Sequence, residues 1–130
     1  MKNNIDLDFI HNLLKEAAAS PRLRMNYDMR NSAADTSQRM INALLPGTQV
    51  PIHRHENTEE SVMCLYGKLE EIFFEKCDAD ETGFKEIARH TLCPKEGKFG
   101  LQVPMGMWHT INVIEPSIIF EAKDGAYIPQ

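Results

Sequence analysis

Histidines at positions 53 and 55, separated by Arg54, form the pair in this chain best suited to bind a metal ion. In an extended segment residues i and i+2 share a face, so both imidazoles can turn to one ion while Arg54 points away. Glu60 follows after the short loop "ENTE" and heads an apolar run that reads as a strand. Glu56 and Glu59 are expected to stay in the solvated loop. A further candidate is His109, in "VPMGMWHTINV", where Pro104 and Gly106 predict a tight turn and His109 starts a new strand. Three imidazoles and a carboxylate would leave an octahedral ion with open positions for water or substrate. Such ligands suit one divalent ion, with zinc, iron, nickel and manganese all admissible. His11 and His90 have no partners at ligand spacing and are read as ordinary strand or helix residues.

A closed β scaffold is what could bring such distant ligands together. Short β-rich runs occur at "RMINALL", "TQVPIH", "SVMCLY", "LEEIFFE", "FKEIARHTL", "FGLQVP", "HTINVI" and "SIIFEA". Turn-forming clusters such as "LPG", "YGK", "CDADETG", "PKEG" and "EPS" separate them. Ahead of these, Ile10, Leu13, Leu14, Ala17 and Ala18 keep the spacing of one helical face, with Asn4 or Asp6 as cap and Ser20-Pro21 as stop. The fold expected is all-β, a sandwich or barrel with one N-terminal α-helix. Residues 1–20 form the helix and 21–130 the barrel, in a single domain. "DADETG" opens like a calcium loop, but Arg89 stands where the bidentate glutamate is needed, so a hairpin turn is expected there.

The 130 residues carry a net charge of −5, with 42% apolar and 25% charged side chains. That balance argues against nucleic acid as partner, since phosphate contacts need a basic face. No apolar stretch approaches the roughly 20 residues that cross a bilayer, and the N-terminus lacks the apolar core of a secretory signal. Cys64, Cys77 and Cys93 are odd in number and form no C-x-x-C, so free thiols in a reducing cytoplasm are expected.

The ligand set resembles the cupin superfamily. The first cupin motif, G-x5-H-x-H-x4-E-x6-G, is met by Gly47, His53, His55, Glu60 and Gly67. The second, G-x5-P-x-G-x2-H-x3-N, is met at Pro104, Gly106 and His109; Gly97 lies one residue too early and Asn112 one residue too close to the histidine. "SPRLR", "SQRMINALLPGTQVPIHRH", "MWHT" and "FEAKDGAYIP" further resemble the WbuC-type cupin fold metalloproteins, small bacterial proteins whose family name comes from an O-antigen gene cluster. The loop before Glu60 is shorter than in many of them, and Glu59 stands where an aromatic is common. The resemblance implies a jelly-roll barrel (a double-stranded β-helix) that binds one divalent ion.

Arg22, Arg24 and Arg39 fall in the segments that carry the narrower resemblance. At a barrel mouth their guanidinium groups would bind the carboxylate or phosphate of a substrate; surface pairing with the chain's acids is the alternative. Arg54 is expected to make a structural pair, and Trp108 to face away from His109 towards the outer sheet or a subunit contact. Lys123 and Tyr127 are expected to close an opening or anchor the C-terminal segment. The function expected is a metal-dependent enzyme, of isomerase, epimerase or oxygenase type, on a small polar or anionic molecule such as a sugar or sugar nucleotide. The alternative is a non-catalytic module that binds a carbohydrate or small acid through its ion; a purely structural ion ranks third. A homodimer is the expected assembly.

Overall fold

The computed structural model describes residues 4–126, so the notional role of Tyr127 lies outside the described residues. Helix α1 spans Leu7–Ala19 and is followed by β1 (Arg24–Asp28), β2 (Ser37–Leu44), β3 (Glu60–Lys76), β4 (Phe84–Leu92), β5 (Gly100–Val103) and β6 (Trp108–Asp124). The architecture is predominantly antiparallel β with one helix, as the sequence predicts. Asp6 caps α1 by accepting from the Phe9 N–H at 2.9 Å, and the helix ends at Ser20, ahead of Pro21. Its buried face is Phe9, Ile10, Leu13 and Ala17, packed on Ile41, Ala43 and Ile118 of β2 and β6. Ala18, expected on that face, is exposed, and Phe9 takes part in its place.

The two pairs of short strands expected around "YGK" and "EPS" are instead two continuous strands of 17 residues, β3 and β6. They pair antiparallel from Glu60↔Lys123 to Phe74↔Trp108, with register shifts between Cys64 and Leu69. The fold-over lies at Gly67. Its φ is +88°, and a Cβ there would collide with the Pro116 carbonyl and the Ser117 Cα. Ser117 fixes the corner: its Oγ accepts from the Lys68 N–H at 3.1 Å and donates to the Glu115 carbonyl at 2.7 Å.

Bending one ribbon in this way makes two facing layers. The first halves of β3 and the last of β6 join β2, β1 and β5; the remaining halves join β4 and the segment around His53. Leu44, Val62, Cys64, Leu69, Phe73, Leu92, Val103, Val113 and Ile119 fill the space between. "TQVPIH" forms no strand beyond the single bridge His53↔His109. The "DADETG" segment is a hairpin turn closed by Cys77 N–H to Gly83 carbonyl at 2.9 Å, and the three cysteines are free.

Candidate metal centre

Glu60 and His109 sit on opposite halves of the folded ribbon, and the fold-over sets them face to face. Both are buried, at 4% and 2% exposure. His53 joins them through main-chain pairing: its N–H donates to the His109 carbonyl at 3.0 Å, and the His109 N–H returns to the His53 carbonyl at 2.8 Å. The Pro104-Gly106 turn is tied to the same segment, because the Gly106 N–H donates to the His55 carbonyl at 2.8 Å.

The tautomers of two imidazoles follow from their neighbours. His53 Nδ1 lies 2.9 Å from the Pro51 carbonyl, and His109 Nδ1 lies 2.9 Å from the Met107 carbonyl. A carbonyl oxygen only accepts, so each Nδ1 carries a hydrogen and each Nε2 is free to offer its lone pair. This is the outer hydrogen bond that metal-binding histidines generally make. One ligand nitrogen from each of His53, His55 and His109 lies within 4.8 Å of the others. Glu60 adds Oε1 at 3.6 Å from His109 Nε2 and Oε2 at 3.6 Å from His55 Nε2. Ligands bonded to one ion at about 2.1 Å stand roughly 3.0–3.4 Å apart, so the Glu60 contacts are close to that spacing and the imidazoles would draw together around the ion. The donor set fits a divalent metal.

The charge states fit it too. Burial, followed by the nearby His109, lowers the affinity of His53 for protons, and burial brings the His55 pKa down to about 4 despite the opposing pull of Glu60. Both imidazoles are therefore in the neutral, metal-binding form near pH 7. Burial works against the Glu60 carboxylate, but its polar contacts with His109 and Glu121 and the charge of Lys123 prevail and keep it ionised.

Five polar groups beyond the expected set gather at this site. Asn26 Nδ2 donates to Asn42 Oδ1 at 3.1 Å, and Asn42 Nδ2 donates to Glu121 Oε1 at 2.7 Å. Glu121, its pKa raised by burial and then by the charge of Glu60, bonds to Glu60 in turn. These bonds run in one direction and end on the proposed ligand. The Lys123 ammonium is 3.4 and 3.5 Å from the two ring nitrogens of His55 and 3.7 Å from Glu60 Oε2. Glu71 is 1% exposed, and burial, then Glu121 and Glu60, raises its pKa well above the usual carboxylate range. Alternation about Ile119 was the available signal, since it turns Glu121 and Lys123 inward.

A cleft of about 600 Å³ opens beside His55, with Gln38, Arg54, Thr58, Trp108 and Lys123 in its walls. A smaller one of about 470 Å³ shares Gln38, Thr58 and Lys123. The arginines expected at the mouth line neither. Arg22 is exposed in the turn after α1. Arg24 shares a face with Leu44 and donates to the Gln49 carbonyl at 2.9 Å. Arg39 lies on the face that packs towards α1 and pairs with Asp35 at 3.0 Å. Arg54 pairs with Glu56 at 2.7 Å and lies 4.5 Å over the ring of Trp108, which in turn packs on Phe84.

Among solved structures, the chain is similar to the capsular polysaccharide assembling protein CapF from Staphylococcus aureus (TM-score 0.63, 18% identity, 85% of this chain and 30% of that one). It is also similar to oxalate oxidase in complex with the substrate analogue glycolate (TM-score 0.62, 13% identity, 84% and 54%). KdgF from Halomonas sp. is comparable (TM-score 0.59, 13% identity, 83% and 84%). The chain thus spans about a third of CapF and half of oxalate oxidase. These likenesses show the cupin fold. No curated protein matches in sequence. Among the described residues no helix is long and apolar enough to cross a membrane. Residues 5–82, from before α1 to the β3–β4 turn and so including His53, His55 and Glu60, match a family described as a domain of unknown function. The chain belongs to that family, DUF6016, and has the fold of a cupin.

Proposed function

We propose that this chain is a divalent-metal enzyme acting on a small polar molecule of the sugar or sugar-nucleotide kind. His53, His55, Glu60 and His109 would hold the ion. The observation that carries this reading is the commitment of two Nδ1–H groups to main-chain carbonyls, which leaves their Nε2 atoms free beside a third imidazole and a carboxylate. A bound divalent ion supplies Lewis acidity, polarising a carbonyl for isomerisation or epimerisation. The protein's own part is to keep two imidazoles neutral by burial, to hold Glu60 from behind through Glu121 and Asn42, and to offer an adjoining cleft of small-molecule size. Displaced from the ion, Glu60 would be the carboxylate that moves a proton at the carbon beside such a carbonyl.

A saccharide substrate is supported by the resemblance to WbuC-type proteins and agrees with the name of CapF, the capsular polysaccharide assembling protein. Arg24, on the inner face of β1, is the expected arginine best placed to contribute to binding. A homodimer is part of this reading; Met63, Leu65 and Phe99 are exposed apolar side chains that a second copy would cover, and light scattering measures the mass. The direct test loads the protein with iron, manganese, nickel or zinc and follows sugar nucleotides and small acids by NMR in deuterated water. Metal-dependent conversion or solvent deuterium in recovered substrate supports the enzyme. Binding with no conversion under any metal moves the assignment to a non-catalytic module.

A further inference from the structure

Gln38 and Lys123 are directly opposed in the β2–β6 register and line both clefts, the larger of which reaches His55. Gln38 is 4% exposed. Its Nε2 donates to the Gly125 carbonyl at 2.8 Å, which fixes the amide orientation, because a carbonyl can accept only from the NH2 side. The other end, Oε1, is buried and has no hydrogen-bond donor among the described residues. A buried acceptor in this condition is uncommon, and a bound molecule with a hydroxyl would supply the missing donor.

Lys123 presents the complementary need. An ammonium has three hydrogens to donate, and among the described residues this one has polar contacts with His55 and Glu60, at 3.4–3.7 Å. Both contacts are long for a charge-assisted hydrogen bond. The cation is also the cleft's best-placed partner for an anionic oxygen, since Arg54, the other cation in the wall, is already paired with Glu56 at 2.7 Å. Asp124 lies on the same wall, but strand alternation turns it from the face that carries Lys123.

We propose that the cleft binds a hydroxy-carboxylate, with Lys123 taking the carboxylate and Gln38 Oε1 accepting a hydroxyl hydrogen. This deepens the metal-enzyme reading and rests on it only in that the ligand's remaining oxygens face the histidines. Neither group suffices alone. A plain carboxylic acid leaves Gln38 unsatisfied, and a neutral polyol leaves the ammonium without its anion.

Calorimetric titration with D-glycerate, propionate and glycerol tests this, with and without saturating zinc, because the three share a carbon count and differ in these groups alone. Glycerate is expected to bind at least tenfold more tightly than either of the others. Lys123→Met should lower glycerate affinity at least tenfold with glycerol unchanged, and Gln38→Leu should erase the preference for glycerate over propionate. Lys123→Gln and Gln38→Glu, with melting temperatures for all variants, guard against loss of fold; Gln38→Glu should repel glycerate. Equal binding of glycerate and propionate in both metal states overturns the inference, as does glycerate affinity untouched by Lys123→Met. Metal content of the same samples separates the two claims: bound zinc without glycerate preference leaves the metal centre standing, whereas glycerate preference without zinc binding keeps the subsite and counts against zinc as the ion.

Discussion

His53 and His109 are hydrogen-bonded to each other through both main chains, and each commits its Nδ1 to the carbonyl two residues before it. Residues 56 positions apart in the chain thus meet as a matched pair with the same tautomer. The rest of the account builds on that pairing, because it fixes which nitrogen each ring presents to the interior.

Glu60 completes the set from the opposite half of the ribbon. Replacing it with Gln preserves volume and removes the charge. Divalent-ion affinity should fall by at least about 10–100-fold, the loss seen when even the outer partners of metal ligands are altered. Glu121→Gln should weaken the ion less than Glu60→Gln does, since it acts through Glu60. Calorimetry on both variants checks the order.

Lys123 stands beside two proposed ligands, and its positive charge opposes a divalent ion. Lys123→Met should therefore tighten metal binding on the order of tenfold, and the gain should shrink as salt is raised. Unchanged or weakened affinity at low salt would contradict this placement.

The buried acids give the metal-free protein a pH signature. Glu121 titrates at about 8 in the folded chain against 4.5 for an ordinary glutamate, so between these values the folded state holds a proton the unfolded state has lost. Stability must then fall as pH rises through that window. His55 acts oppositely: its folded pKa of about 4 against 6.5 makes stability fall as pH drops between them. The two largely offset between pH 4.5 and 6.5, which leaves Glu121, with Glu71 alongside, to reduce stability from pH 6.5 to 8. Urea titrations with a chelator present should show that decline, and Glu121→Gln should flatten it.

The corner at Gly67 is what allows Glu60 to face His109. Gly67→Ala should cost about 1–2 kcal/mol for the left-handed backbone alone, and more because the new methyl meets Pro116 and Ser117. Gly83→Ala is the control, with the same backbone sign and nothing within 4 Å of the added carbon. Equal losses for the two variants in urea unfolding would show that the corner tolerates a side chain.

The comparison of sequence and structure turns on locality. His53 and His55 are legible because their convergence needs only an extended backbone, and Glu60 because a short loop returns it to them. The helix was legible from its apolar spacing and cap. The bend was not: "YGK" and "EPS" read as chain-reversing turns, whereas Gly67 and Ser117 fold one paired ribbon over itself without breaking it. β1 was missed for a related reason. "RMNYD" puts Met25 and Tyr27 against the helix and the polar Asn26 on the inner face, so neither side looks like an ordinary buried strand. Glu121, Glu71 and Gln38 acquire their roles only through neighbours distant in sequence. The arginines illustrate the same limit, since the face each presents depends on register and not on type.

The central claim is that three histidines and Glu60 hold one divalent ion. Calorimetric titration of chelator-stripped protein with zinc, iron, manganese and nickel tests it most directly, with His109→Ala titrated in parallel. The account predicts one ion per chain for at least one of these metals and a loss of more than about 100-fold in affinity for the variant. Absence of binding for all four metals, or binding undiminished by His109→Ala, would contradict it.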